Sequence, residues 1–76
     1  MPTTRICRLP KVVEMTGLSR SAIYALIAEG RFPTQINLEP GTVGWAEREI
    51  NEWIEMRIVE SRRADTREVL DARNAN

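Results

Sequence analysis

Arg20 stands between two serines, Ser19 and Ser21, and Tyr24 follows one helical turn later. An arginine offers a rigid fork of N–H donors that matches phosphate oxygens or the O6 and N7 edge of guanine, and hydroxyls both donate and accept. Such a run suits recognition of a polyanion or of base edges, and Arg31 adds a second cation of the same kind. Residues for other chemistry are missing. With no histidine, neither a histidine-based catalytic dyad nor a histidine-containing metal site can be built. The single cysteine, Cys7, cannot form a zinc thiolate cluster. Gly41-Thr42-Val43-Gly44 lacks the lysine and the spacing of a phosphate-cradling loop. Glu47, Glu49, Glu52 and Glu55 lie off the apolar stripe of their segment beside Arg48 and Arg57, as a solvated face does, and not as paired catalytic carboxylates. The sequence therefore leads us to expect a binding protein, with no enzymatic activity, cofactor, metal or small-molecule ligand.

Ser19 also begins the element that positions this run. Its hydroxyl can cap a helix by accepting from a first-turn N–H. Gly30 suits the left-handed residue after the helix, and Pro33 prevents the helix from resuming. Within it Ile23, Leu26 and Ile27 fall at i, i+3 and i+4, which predicts a helix over 19–29 with a narrow core-facing stripe. Arg20, Ser21 and Tyr24 belong to the opposite, polar face. A helix this short is unstable alone in water and must be packed. Upstream, Leu9 to Met15 starts with a proline where a first turn tolerates one, and Leu9, Val12, Val13 and Leu18 can share a core. Two short helices joined by a tight turn centred on Gly17 form a helix-turn-helix pattern, whose second helix is the reading helix.

Downstream, Thr34 to Leu38 alternates polar and apolar residues, and Val43-Gly44-Trp45 follows after Glu39-Pro40-Gly41-Thr42. Proline second and glycine third fit a type II turn. The segment reads as a β-hairpin, with Ile36, Leu38, Val43 and Trp45 available to pack on the helices. A hairpin in this place is a wing. Its tip carries Glu39 and no basic residue, so contact with a phosphate backbone is expected from its base, at Arg31, Gln35 or Asn37. Arg5 to Leu9 alternates in the same manner and can pair with a later strand. From Ala46 to Glu60, Ile50, Trp53, Ile54 and Ile58 form a helical stripe that closes the core. Trp45 and Trp53 read as core residues. Residues 61–76 form a charged tail in which Asp65 and Glu68 resemble a capping box, which allows a helical extension and equally leaves open fraying or a role in self-association. The fold class is thus mainly α with a small β-hairpin, a winged helix-turn-helix over residues 1–60 followed by the tail 61–76.

Seventy-six residues allow one domain. A chain this small buries only about 60% of its unfolded surface, so the core is small. Cys7 reads as a small apolar residue in a reducing compartment. No signal-peptide core or membrane span is visible, and a cytoplasmic, nucleoid-associated protein is expected. Net charge is zero, but residues 1–45 hold five basic residues against three acids and residues 46–76 six against eight. The mild positive excess lies on the half with the helix-turn-helix, as docking on a polyanion wants.

Taken together, Arg8-Leu9-Pro10, Gly17-Leu18-Ser19-Arg20-Ser21, Ile23-Tyr24, Gly30, Phe32-Pro33, Val43-Gly44-Trp45 and Ile50 to Trp53 resemble the AlpA family of small phage- and prophage-associated DNA-binding regulators, relatives of excisionases and of MerR-type DNA-binding domains. The resemblance covers about Arg5 to Glu60. It implies a winged helix-turn-helix that binds double-stranded DNA, with Ser19, Arg20, Ser21 and Tyr24 approaching the major groove and Arg31 meeting backbone or minor groove. It further implies a sequence-specific transcriptional regulator of prophage or mobile-element genes, or an excisionase-like accessory factor that bends attachment-site DNA. The neutral charge leaves a protein–protein interaction module that does not bind DNA as the reading from another class. A homodimer or a cooperative array on DNA would strengthen the modest electrostatics.

Overall fold

In a computed structural model of the chain, residues 5–74 are described, with side chains described through residue 64. The order is β1 (Ile6–Cys7), α1 (Leu9–Thr16), α2 (Arg20–Ala28), β2 (Ile36–Glu39), β3 (Thr42–Ala46) and α3 (Glu47–Asn74). The architecture is a winged helix-turn-helix, three helices with a small antiparallel sheet.

Local chemistry explains the ends of α1 and α2. The N–H of Gly17 donates to Val13 C=O at 2.8 Å, with Gly17 at φ 74°, a conformation that side chains with a Cβ resist. Thr16 pins the same turn, its hydroxyl donating to Val12 C=O at 2.8 Å and accepting from Leu18 N–H at 3.2 Å. Ser19 then caps α2 by accepting from Ala22 N–H at 3.1 Å. At the other end Gly30 N–H reaches Ile27 C=O and Arg31 N–H reaches Leu26 C=O, the paired bonds of a Schellman motif with Gly30 left-handed at φ 72°. Sequence marks and structure agree at all three places.

The sheet order is β1-β3-β2. β3 pairs with β1 through Ile6 opposite Ala46 and Cys7 opposite Trp45, so the alternating N-terminal segment does find a later strand. β2 and β3 form the wing, and Gly41 sits at the third turn position with φ 78° as a type II turn requires. The core gathers Cys7, Val12, Ile23, Phe32, Trp45 and Ile50 around side chains from all three helices. Trp45, Ile23, Ile50 and Val12 are fully buried.

Three packing expectations fail. Ile36 and Leu38 do not pack on the helices; they are exposed on the open side of the sheet, where Leu38 and Ile6 close over Gly44. The helices cover only the face that carries Cys7 and Trp45, and the bulge between Asn37 and Glu39 leaves Leu38 unpaired in the ladder. Ile58 is 38% exposed and closes nothing, because α3 has run past the domain by that point. The backbone of α3 continues unbroken through 61–74; the side chains of Asp65 and Glu68 lie outside the described residues.

Candidate nucleic-acid interface

An α-helix advances ~100° per residue, so the positions of α2 sort into faces. Ile23, Leu26 and Ile27 point to the core. Ser21, Ala25 and Ala28, all exposed, form the outermost strip. Arg20 and Tyr24 occupy the flank toward the wing, and Ala22 the flank toward α3, bordered by Leu26 on its core side and Ala25 on its outer side.

On the wing flank a chain of contacts runs from the core to the surface. The Tyr24 ring meets buried Trp45 edge-on, with centroids 6.4 Å apart and planes at 62°. The Arg20 guanidinium lies over that ring, 6.0 Å from its centroid. Tyr24 is therefore half-buried and packs against the core, not wholly on the polar face as its hydroxyl suggests in sequence. Its ring is an aromatic face within cation–π reach of Arg20. Ser19 and Ser21 are exposed beside them at the N-terminal end of the helix, where free N–H groups and the helix dipole favour anions.

Arg31 stands apart from this group. It follows the far end of α2 as the last residue of the Schellman motif, and its side chain pairs with Glu29 at 3.1 Å. Both partners are more than half exposed, so the pair is weak and exchangeable. The structure thus brings Ser19, Arg20, Ser21 and Tyr24 together at one end of α2 and leaves Arg31 at the other.

Two features were not legible in the sequence. Ala25 and Ala28 make the outer strip of α2 small and apolar between the polar groups. The segment 31–33 linking α2 to the wing is held by both tryptophans: Trp53 Nε1 donates to Arg31 C=O at 2.9 Å and Trp45 Nε1 to Pro33 C=O at 3.1 Å. Between these bonds Phe32 is buried, its ring edge-on to Trp53 at 4.8 Å. These bonds and the buried Phe32 tie the segment between α2 and the wing to β3 and α3. A donor indole and an acceptor carbonyl far apart in sequence leave no local pattern to find.

At the wing, Asn37 and Glu39 are exposed and Gln35 is half-buried. No cation extends from it. Elsewhere Arg5, Arg8 and Lys11 are exposed, Lys11 in a loose pair with Glu14 at 3.8 Å. Cys7 is buried with its sulfur 3.7 Å from Met15 Sδ and 3.9 Å from Glu47 Oε2. Burial pushes its thiol above the ordinary value of 9.0, and the Glu47 carboxylate adds to the rise. Among the described residues no helix is long and apolar enough to cross a membrane.

Residues 5–58 match the family model described as prophage CP4-57 regulatory protein (AlpA). The chain is 42% identical over 59 residues to an uncharacterized protein, ORF88, of Enterobacteria phage P4, covering 78% of this chain and 67% of that protein. It is 39% identical over 59 residues to the DNA-binding transcriptional activator AlpA of Escherichia coli (strain K12), covering 70% of this chain and 84% of that one.

Proposed function

The chain belongs to the AlpA family, and on that premise we propose that it is a sequence-specific DNA-binding transcriptional regulator of prophage or mobile-element genes. The observation that carries the reading is the constellation at the start of α2, where Arg20 is stacked on Tyr24 beside two serines and the free N–H groups of a helix N-terminus. Residues 1–60 form the DNA-binding domain, and α2 lies in the major groove. Arg20 donates two hydrogen bonds to a guanine edge. Ser19 and Ser21, with the N-terminal N–H groups, hold a phosphate. Ser19 does this with the oxygen that also caps the helix. Tyr24 fixes Arg20 through its ring and offers its hydroxyl to the DNA. Ala25 and Ala28 can meet thymine methyl groups, since an apolar contact reads that methyl. Arg31 exchanges Glu29 for a phosphate at the opposite end of the helix.

A mobility-shift titration on DNA flanking the protein's own gene and any nearby integrase gene, with excess competitor DNA, tests this reading. A discrete, competitor-resistant complex is expected. If about four basic groups meet phosphate, log K against log salt should fall with a slope near −3.6 per monomer. Absence of any complex at low salt would refute DNA binding and favour a protein-binding role. A footprint confined to attachment-site DNA, with bending, would instead assign the protein to excision.

A further inference from the structure

The flank of α2 away from the wing is open. Between it and α3 lies a groove of about 550 Å³, floored by Met15, Leu18, Ala22, Leu26, Trp53 and Ile54, with Arg31 and Arg57 at its rim. The groove is mainly apolar, and a space of this size accepts several side chains. Each rim arginine is tied to one glutamate, Arg31 to Glu29 and Arg57 to Glu60 at 3.3 Å. A guanidinium carries five N–H donors, so most of each fork stays free.

The same chain displays a surface of matching chemistry. On the outer side of α3, Glu52, Glu55, Met56 and Val59 are related by three- and four-residue steps and therefore adjoin. All are exposed, Met56 at 57% and Val59 at 44%. Among the described residues neither Glu52 nor Glu55 carries an ion pair. Two apolar side chains flanked by two carboxylates face solvent on one side of α3, and an apolar groove flanked by two arginines opens on another.

We infer that the groove receives a second copy of this chain, with Met56 and Val59 of one molecule entering the groove of the next and Glu52 and Glu55 meeting Arg57 at its rim. At ~100° per residue the knob lies on the side of α3 opposite the groove-lining Trp53, Ile54 and Arg57, so one pair of molecules cannot engage both contacts reciprocally. The contact is head-to-tail and does not close by two-fold symmetry. Repetition gives an open row. The incoming copy sits beside α2 on the side opposite the wing, which leaves Arg20 and Tyr24 uncovered. The contact rests on the groove and the knob alone; on the proposed function it would space successive molecules along DNA.

Sedimentation equilibrium of the full chain over a wide concentration range, without DNA, tests it. The expected result is an average mass that rises past two chains without a plateau. Met56→Glu spoils the knob and Arg57→Glu the groove rim; both positions are exposed, and circular dichroism checks that each variant folds. Each alone should remain monomeric at concentrations where the wild type assembles, at least about tenfold weaker by a single lost apolar or charged contact. A 1:1 mixture should recover a complex that stops at two chains, because one variant keeps a sound groove and the other a sound knob. A wild-type mass fixed at one chain would overturn the inference, and uptake of a hydrophobic fluorophore by that monomer would assign the groove to a small ligand. A plateau at two chains with no recovery in the mixture would overturn it as well, in favour of a symmetric dimer. Because no DNA is present, these outcomes are independent of the mobility shift.

Discussion

The two flanks of α2 differ although one nine-residue helix supplies both. Toward the wing, Tyr24 is wedged against buried Trp45 and in turn carries Arg20, so each large side chain has a partner and the exposed end is polar. Toward α3, Ala22, Ala25 and Leu26 are too small to fill the space before Trp53 and Ile54, and an apolar groove remains. The difference shows how a marginal core is allotted. The aromatic volume is spent on fixing the polar end and the wing, and the other flank is left unfilled. The first arrangement places Arg20 over an aromatic ring at the polar end of the helix. The second leaves an open apolar surface.

The comparison breaks most severely at Trp45. Trp45→Ala removes a fully buried indole, for which about 3–5 kcal/mol is expected. That is much of the total stability of a small domain, so urea denaturation followed by circular dichroism should find the variant largely unfolded. On the α3 flank, Trp53→Ala should cost less, because Trp53 is only half-buried; a loss as large as that of Trp45→Ala would contradict the account of the flanks.

Arg20→Ala should leave stability nearly unchanged, since Arg20 is exposed, yet lose about 1–3 kcal/mol of discrimination at one base pair. Binding-site selection with the variant checks this: an unchanged motif would remove Arg20 from base reading. Tyr24→Leu keeps apolar volume but removes the aromatic face, and should shift DNA affinity in the same direction by a smaller factor.

Trp53→Phe keeps a ring against Phe32 but deletes the N–H donor to Arg31 C=O together with part of the ring system over which Arg57 lies. A thermal-stability loss of about 1 kcal/mol is expected. If this bond helps set the wing angle, hydroxyl-radical footprinting should show protection weakened at the wing and preserved under α2. The smallest effect is at Cys7. Its thiol ionises less readily when folded than when unfolded, so the stability it contributes is complete below the unfolded pKa. That contribution is lost as pH rises through the folded pKa. Cys7→Ala should therefore flatten the alkaline fall in urea midpoint relative to wild type.

Much of this was legible in the chain. Gly17, Ser19 and Gly30 mark helix ends because capping depends on one residue and its immediate neighbours, and the turn at Pro40-Gly41 is equally local. The polar start of α2 could be named for the same reason. What failed was long-range. Ile36 and Leu38 alternate as a packed strand does, but alternation states only that they share a face, not that a helix covers it. Ile58 continues a stripe of α3 that leaves its domain after Ile54. Tyr24 carries a hydroxyl, and nothing nearby in sequence reveals that its ring rests on Trp45.

The sequence by itself determined the order of elements, the capped ends of α1 and α2 and the residues available for hydrogen bonding, since each of these follows from backbone preference and periodicity over a few neighbours. The last helix, read from Ala46 to Glu60, instead runs from Glu47 to Asn74, with Ala46 paired in β3. Only the tertiary structure decided which flank of α2 holds Arg20 in place, which carbonyls the two tryptophans grip and where apolar surface stays open. Those depend on the volume left when helices and sheet meet. That volume is a property of the assembled elements and of no single segment.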